Sequence, residues 1–262
     1  MKKNIPVLTI LDKLAGHYRH GDLVPVVAGK IFELSMSDRK GLPDSALRCL
    51  RQTSVIGWME RWTTHRNLRR NKTNRTRRLD IGPGEGRLPG FETLNIAGGR
   101  NIDYVLDATQ PLPFPDGTFV EVFSSHVLEH LPWYSTERIL QEWVRILKPG
   151  GQLQIWVPDA LKICSTILEA EEDLLDTPPD GWRKLNPDDD PYLWAAGRLF
   201  YGVNHHYPSW HRALFTPKFL QRLLRRVGLV DVRRLAAEEV RGADHGWINL
   251  GVGGAKPRQG SL

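Results

Sequence analysis

Residues 78–107 read RLDIGPGEGRLPGFETLNIAGGRNIDYVLD, and several residue types in that stretch suit binding better than packing. Asp80 closes a short apolar run and is followed by Gly82, Gly84 and Gly86 at alternate positions. Glycines so spaced make a turn in which bare backbone can press against a ligand. A dinucleotide pyrophosphate asks for G-x-G-x-x-G; here an acid precedes the first glycine and no cation lies among the three. The set points to a ligand that carries its own positive charge. Further on, Ser125-His126-Val127-Leu128-Glu129-His130 places two imidazoles four residues apart, and His205, His206 and His211 gather later in the chain. Histidine is the base available near neutral pH. The spacing from His126 to His130 also fits H-x-x-E-H, which on a helix would put both rings on one face as a zinc pair. The segment follows a strand and no third ligand is indicated, so no metal ligands are assigned.

These residues, with LPFPDGTF at 112–119, SSHVLEHL at 124–131 and LKPGG at 147–151, resemble the class I S-adenosylmethionine-dependent methyltransferases of the methyltransferase-11 type. The likeness runs from about residue 79 to 159 and continues weakly to 257. It implies S-adenosyl-L-methionine as cofactor. Asp80, Gly82 and Gly84, with Gly86, would wrap its methionine part, and Asp107 and Ala108 would meet the adenine amino group. Asn95 stands where the family carries an acid that grips the ribose hydroxyls; its amide can still accept and also donate. Ser125 and His126 would face the cofactor from the end of the fourth strand, with His130 capping or packing. Methyl transfer is an in-line displacement at a sulfonium, so the enzyme must align the nucleophile and take a proton from a hydroxyl acceptor. His211, with His126, is the candidate for that role.

The elements that must hold these residues follow from patterning. Short apolar strands are expected at 79–81, 93–96, 101–107 and 118–125, with no room for a crossover helix between residues 86 and 92. An amphipathic helix at 135–148 presents Ile139, Leu140, Trp143, Val144, Ile146 and Leu147 on one side. Leu153, Ile155 and Val157 then alternate in a strand. A helix begins at Thr216-Pro217, and 247–252 supplies a last, antiparallel strand at the sheet edge. The expected fold is α/β: a doubly wound, mostly parallel seven-stranded, Rossmann-like sheet. Residues 1–77 form an N-terminal extension, 78–256 the catalytic domain and 257–262 a flexible tail. A long aromatic insertion at about 160–215, with Trp182, Tyr192, Trp194, Phe200, Tyr201, Tyr207 and Trp210, reads as a lid over the acceptor or as a packed insertion. Its aromatic faces suggest a sugar. Asp188, Asp189 and Asp190 read as a solvated acidic loop rather than an ion site.

At 262 residues the chain can bury an ample core. Cys49 and Cys164 make no disulfide framework and suit a reducing compartment. The apolar run after Met1-Lys2-Lys3 is cut by Asp12 and Lys13, so the expected location is the cytoplasm, with no membrane span. Arg61, Arg66, Arg69, Arg70, Lys72, Arg75, Arg77 and Arg78 alone exceed the net charge of +6. That run is either a solvated linker or a surface for an anionic partner or membrane; a single interleaved aromatic, Trp62, makes nucleic acid the weaker partner. The activity expected is O-methylation of a sugar hydroxyl on a glycan or glycolipid precursor. Methylation of a small metabolite is the enzymatic alternative, and a non-catalytic partner-binding module, prompted by Asn95, is the other.

Overall fold

The computed structural model describes residues 55–84, 86–172, 190–201 and 210–258. Residues 1–54 and, within the aromatic insertion, 173–189 and 202–209, with His205 and His206, lie outside the described residues. One seven-stranded sheet organises the rest. Its strands are β1 (Arg78–Ile81), β2 (Glu92–Asn95), β3 (Tyr104–Val105), β4 (Phe119–Ser125), β5 (Leu147–Pro158), β6 (Val230–Arg234) and β7 (Asn249–Ala255). The order across the sheet is β3-β2-β1-β4-β5-β7-β6, parallel from β3 to β5 and antiparallel for β7 and β6. This is a Rossmann-like, doubly wound arrangement.

The central strands are apolar on both faces because both are covered. Leu79, Ile81, Val122, Phe123, Leu153, Ile155 and Val157 are all buried. Helix α2 (Thr136–Arg145) seals one face with Ile139, Leu140, Trp143 and Val144, and α5 (Pro217–Arg226) adds Leu220, Leu223 and Leu224. Between them in the chain, α3 spans Ala160–Glu171 and α4 spans Pro191–Ala196. Proline at the first turn of α5 and a Thr216 cap on the Phe219 amide start that helix. Among the described residues no helix separates β1 from β2, in keeping with the short connection.

Three elements differ from the sequence reading. Helix α2 ends at Arg145, before Ile146 and Leu147, because Leu147 pairs with Phe119 and the amides of Gly117 and Phe119 take the carbonyls of Arg145 and Ile146. The strand expected at 101–107 shortens to Tyr104–Val105. The last strand is not at the edge: β7 inserts between β5 and β6, leaving β6 outermost. Its glycines are the reason, since Trp156 of β5 lies flat on Gly251, where a Cβ would come within 2.6 Å of the indole. A glycine-rich strand reads as a weak one from sequence, yet at Gly251 the lack of a side chain is what lets β7 pass beside that ring.

The helix preceding the sheet, α1 (Val55–Arg70), docks on the β3 edge. Val105 donates its amide to Thr64 Oγ1 at 3.0 Å, and Asn67 donates to the Asp103 carbonyl at 3.0 Å. Its arginines Arg61, Arg66, Arg69 and Arg70 point outward and form an exposed basic face. Arg77, the penultimate residue of the basic run, does something else. It is 6 % exposed and forks onto Glu92 with two bonds of 2.8 Å, while Tyr104 also donates to Glu92 at 2.5 Å. One buried charge network thereby ties together the starts of β1, β2 and β3. Among the described residues no helix is long and apolar enough to cross a membrane.

Candidate functional site

Where a parallel sheet ends, its strands release loops at the carboxyl edge, and ligands bind in the crevice there. β1 turns out at Gly82, which has φ +74° and whose amide donates to the Leu94 carbonyl at 2.8 Å. A Cβ on Gly82 would lie 2.1 Å from Val127 Cγ2, so the turn after β1 and the turn after β4 touch through a bare backbone. Gly84, at φ +64°, meets nothing within 4 Å. It faces open space: a cleft of about 720 Å³ with Asp80, Gly82, Gly84 and Gly86 on one side and Ser125, His126, His130 and His211 on the other. Residues 241–245, from the connection into β7, close the third side. An antiparallel strand begins where its parallel neighbours end, so this connection is delivered to the same edge.

Asp80 is 3 % exposed and its Oδ1 has no hydrogen-bond partner. Burial pushes its carboxyl up to about 7, with Arg241 pulling the other way. Arg241 is itself held by Glu121 and Gln154 and lies 4.8 Å over the Phe123 ring. A buried carboxylate short of a partner, beside glycine backbone with room in front of it, fits a ligand bearing positive charge. These residues fit the sulfonium and amino groups of S-adenosylmethionine.

The opposite wall is a knot of imidazoles around Glu129. The Glu129 carbonyl accepts the amides of Arg212 (2.7 Å) and Ala213 (3.0 Å), which ties the turn after β4 to the segment before α5. His126, at φ +54°, is held there by Glu129 Oε1 at 3.2 Å on Nδ1, Asn249 Oδ1 at 3.0 Å on Nε2, and the His245 ring stacked at 3.7 Å. The Glu129 carboxyl is 2 % exposed; burial alone would raise it, but the His126 hydrogen bond and the neighbouring imidazoles hold it below the usual range. His211 stands beside it, its ring 5.0 Å from the His130 ring. Burial lowers His211 to about 4 and His245 to about 3, so both are neutral at physiological pH. Arg198, 1 % exposed, keeps Nε and Nη2 without partners, and burial lowers it to about 10.

Of the residues singled out from sequence, Asp80, Gly82, Gly84, Gly86, Ser125, His126 and His211 come together around this cleft. Asn95, Asp107 and Ala108 lie outside its lining, at the ends of β2 and β3. There Asn95 Oδ1 accepts the Ile96 amide, and Asp107 Oδ1 accepts both the amide and hydroxyl of Thr109. His130 lines the cleft as well as packing. Sequence reasoning missed Glu129, Arg198, Arg241 and His245. The signal for the last two was the Arg241-Gly242…His245-Gly246 spacing just before a strand. In the insertion, Trp194 is buried and stacked on Trp247 at 5.5 Å, whereas Tyr192, Phe200 and Trp210 keep exposed faces. Asp190 caps α4 through the Leu193 amide.

A family model described as a methyltransferase domain matches residues 90–155. The chain is 33 % identical over 84 residues to a ubiquinone/menaquinone biosynthesis C-methyltransferase of Hydrogenovibrio crunogenus, a match covering 32 % of each chain. It is 36 % identical over 95 residues to an uncharacterized methyltransferase of Schizosaccharomyces pombe, covering 36 % of this chain and 34 % of that one. The matched stretch thus spans about a third of the length of these curated relatives. Among solved structures, a SAM-dependent methyltransferase from Archaeoglobus fulgidus aligns over 75 % of this chain and 94 % of its own, at 17 % identity and a TM-score of 0.44.

Proposed function

From the match of residues 90–155 to a methyltransferase-domain model and the strand order of the sheet, we propose that the chain transfers a methyl group from S-adenosyl-L-methionine to a hydroxyl of a sugar, on a glycan or glycolipid precursor. The observation that carries the transfer is the cleft itself, with Asp80 Oδ1 unpartnered and Gly84 open on one side, and imidazoles on the other. S-Adenosylmethionine, when bound, supplies an electrophilic methyl carbon on a cationic sulfur. Asp80 and the backbone of Gly82, Gly84 and Gly86 hold and orient that cation. Ser125 and the strained turn at His126 set the depth of the floor.

His126 has both ring nitrogens engaged, so proton acceptance falls to His211, with Glu129 behind it to favour the charged ring. A histidine lowered this far is a weak base for an alcohol on its own. The sugar reading is supported by exposed aromatic faces beside it: Phe200, whose carbonyl accepts the His211 amide, and Trp210, whose carbonyl contacts His130. Such faces cover the apolar side of a sugar ring while the hydroxyls keep polar partners. Arg198, buried and short of acceptors, adds a place for an anionic group on the acceptor. The exposed basic face of α1 belongs to the same proposal as the docking side for an anionic surface.

Labelled S-adenosylmethionine offered with sugar, lipid-linked sugar and quinol acceptors tests this. Label in a sugar methyl ether supports it, and label only on carbon of a quinol ring replaces it. His211→Ala should lower turnover by about 100-fold, within the usual range for a lost acid-base group, and leave cofactor affinity unchanged. Equal rates would return His211 to a structural role.

A further inference from the structure

The sequence pairs His126 with His130 and finds no third ligand, but the fold makes a different triad. Glu129, His130 and His211 each offer one ligand atom, and these atoms lie within 4.8 Å of one another. Around an ion with bonds of roughly 2.1 Å, ligand atoms sit roughly 3 to 3.5 Å apart, so small side-chain rotations close the set. We propose that Glu129, His130 and His211 bind a divalent first-row transition-metal ion at the edge of the cleft.

Three independent features prepare the site. Glu129 Oε2 is buried without a hydrogen-bond partner, while Oε1 is taken by His126. A buried anionic oxygen left alone is costly, and a cation is what would satisfy it. The His130 imidazole is fixed in the form a ligand needs. His130 Nδ1 lies 3.3 Å from the Trp210 carbonyl, which only accepts, so that nitrogen carries the hydrogen and Nε2 keeps its lone pair. The His211 ring offers its own ligand nitrogen within 4.8 Å of the other two ligand atoms. Metal-binding histidines are oriented by hydrogen bonds of this kind from the far nitrogen. Finally, the Arg212 and Ala213 amides on the Glu129 carbonyl lock the two segments that supply the ligands, 81 residues apart in the chain at His130 and His211.

The ion has two nitrogen ligands and one oxygen, which favours zinc, cobalt, iron or manganese over magnesium. Three protein ligands leave positions open toward the cleft, where His130 and His211 face. The Arg198 guanidinium, felt at His211, opposes a cation and makes the ion exchangeable rather than permanently held. Resting on the methyl-transfer reading, but with His211 serving as ligand in place of base, the ion would take the acceptor hydroxyl into an open position and lower its pKa. The hydroxyl proton leaves to solvent and the oxygen forms its bond to the methyl carbon. The carbon–sulfur bond breaks with its electron pair returning to sulfur, giving a methyl ether, S-adenosylhomocysteine and one proton.

The full chain, treated with chelator and dialysed, is titrated with cobalt(II) while visible absorption is read; S-adenosylmethionine binding is measured separately by calorimetry. A cobalt band that saturates at one equivalent supports the site. His130→Ala and His211→Ala should abolish it with cofactor binding kept, and Glu129→Gln should weaken cobalt by about 10-fold or more. No band with the wild-type chain, or a band unchanged in all three variants, overturns it. A band without any S-adenosylmethionine binding supports the metal site and overturns the methyl-transfer reading instead.

Discussion

Asp80 joins an ordinary residue type to an unusual setting, and its behaviour with pH follows from that. Burial puts its carboxyl near 7, against an unfolded value of about 4. A raised folded value means that its contribution to stability is complete below about pH 4 and is lost as pH rises through about 7. A bound sulfonium reverses the preference by stabilising the carboxylate, so binding releases a proton. S-Adenosylmethionine should therefore bind more tightly at about pH 8 than at about pH 6, by up to roughly 10-fold. S-Adenosylhomocysteine has the same amino and carboxyl groups without the sulfonium charge, and its affinity should change less. Titrations of both ligands at the two pH values read the difference; equal slopes would separate Asp80 from the sulfonium. Asp80 and the glycines were legible in the sequence because their chemistry is local. Glu129 was not: what makes it unusual is supplied by His126, Arg212, Ala213 and His211, and only folding brings His211 to it.

Among the elements, the start of the sheet depends on charge as much as on apolar packing. Arg77, Glu92 and Tyr104 are buried together, each from or next to a different strand. Removing one partner leaves the other charge buried and alone, which costs about 3–5 kcal/mol. Glu92→Ala should lower unfolding stability by about that amount, and the double change Arg77→Met with Glu92→Leu should recover most of it. Urea unfolding of the three proteins checks this; a loss under about 1 kcal/mol in the single variant would mean the pair is solvated. Sequence reading placed Arg77 in a basic surface run because composition reports the charge of a stretch, not the direction of one side chain. It placed α2, β4 and the core of β5 well, since their apolar periodicity matches the faces they bury. It misplaced β7 because glycine carries no periodicity; the reason for Gly251 is Trp156 on the neighbouring strand.

Across the whole molecule, one rule arranges the site: five parallel strands end at the edge where an antiparallel strand begins. The glycine turn, the imidazole knot and the Arg241–His245 connection reach that edge from three separate parts of the chain. The order of the first motifs was enough to infer the fold, and it brought Asp80, Gly82, Gly84 and Gly86 to one side of the cleft. The acceptor side was less legible because its walls come from the connection before β7 and from the segment around His211, which lie far apart in the chain and meet only in the fold. The central claim is that S-adenosylmethionine occupies this cleft against the backbone of Gly84, whose substitution would place atoms in the open space in front of it. Calorimetric titration of the full chain with S-adenosylmethionine should give saturable one-to-one binding, and Gly84→Val should abolish it while retaining cooperative unfolding. An absence of binding by the wild-type chain at millimolar cofactor, or the same affinity in the folded variant, would contradict the account.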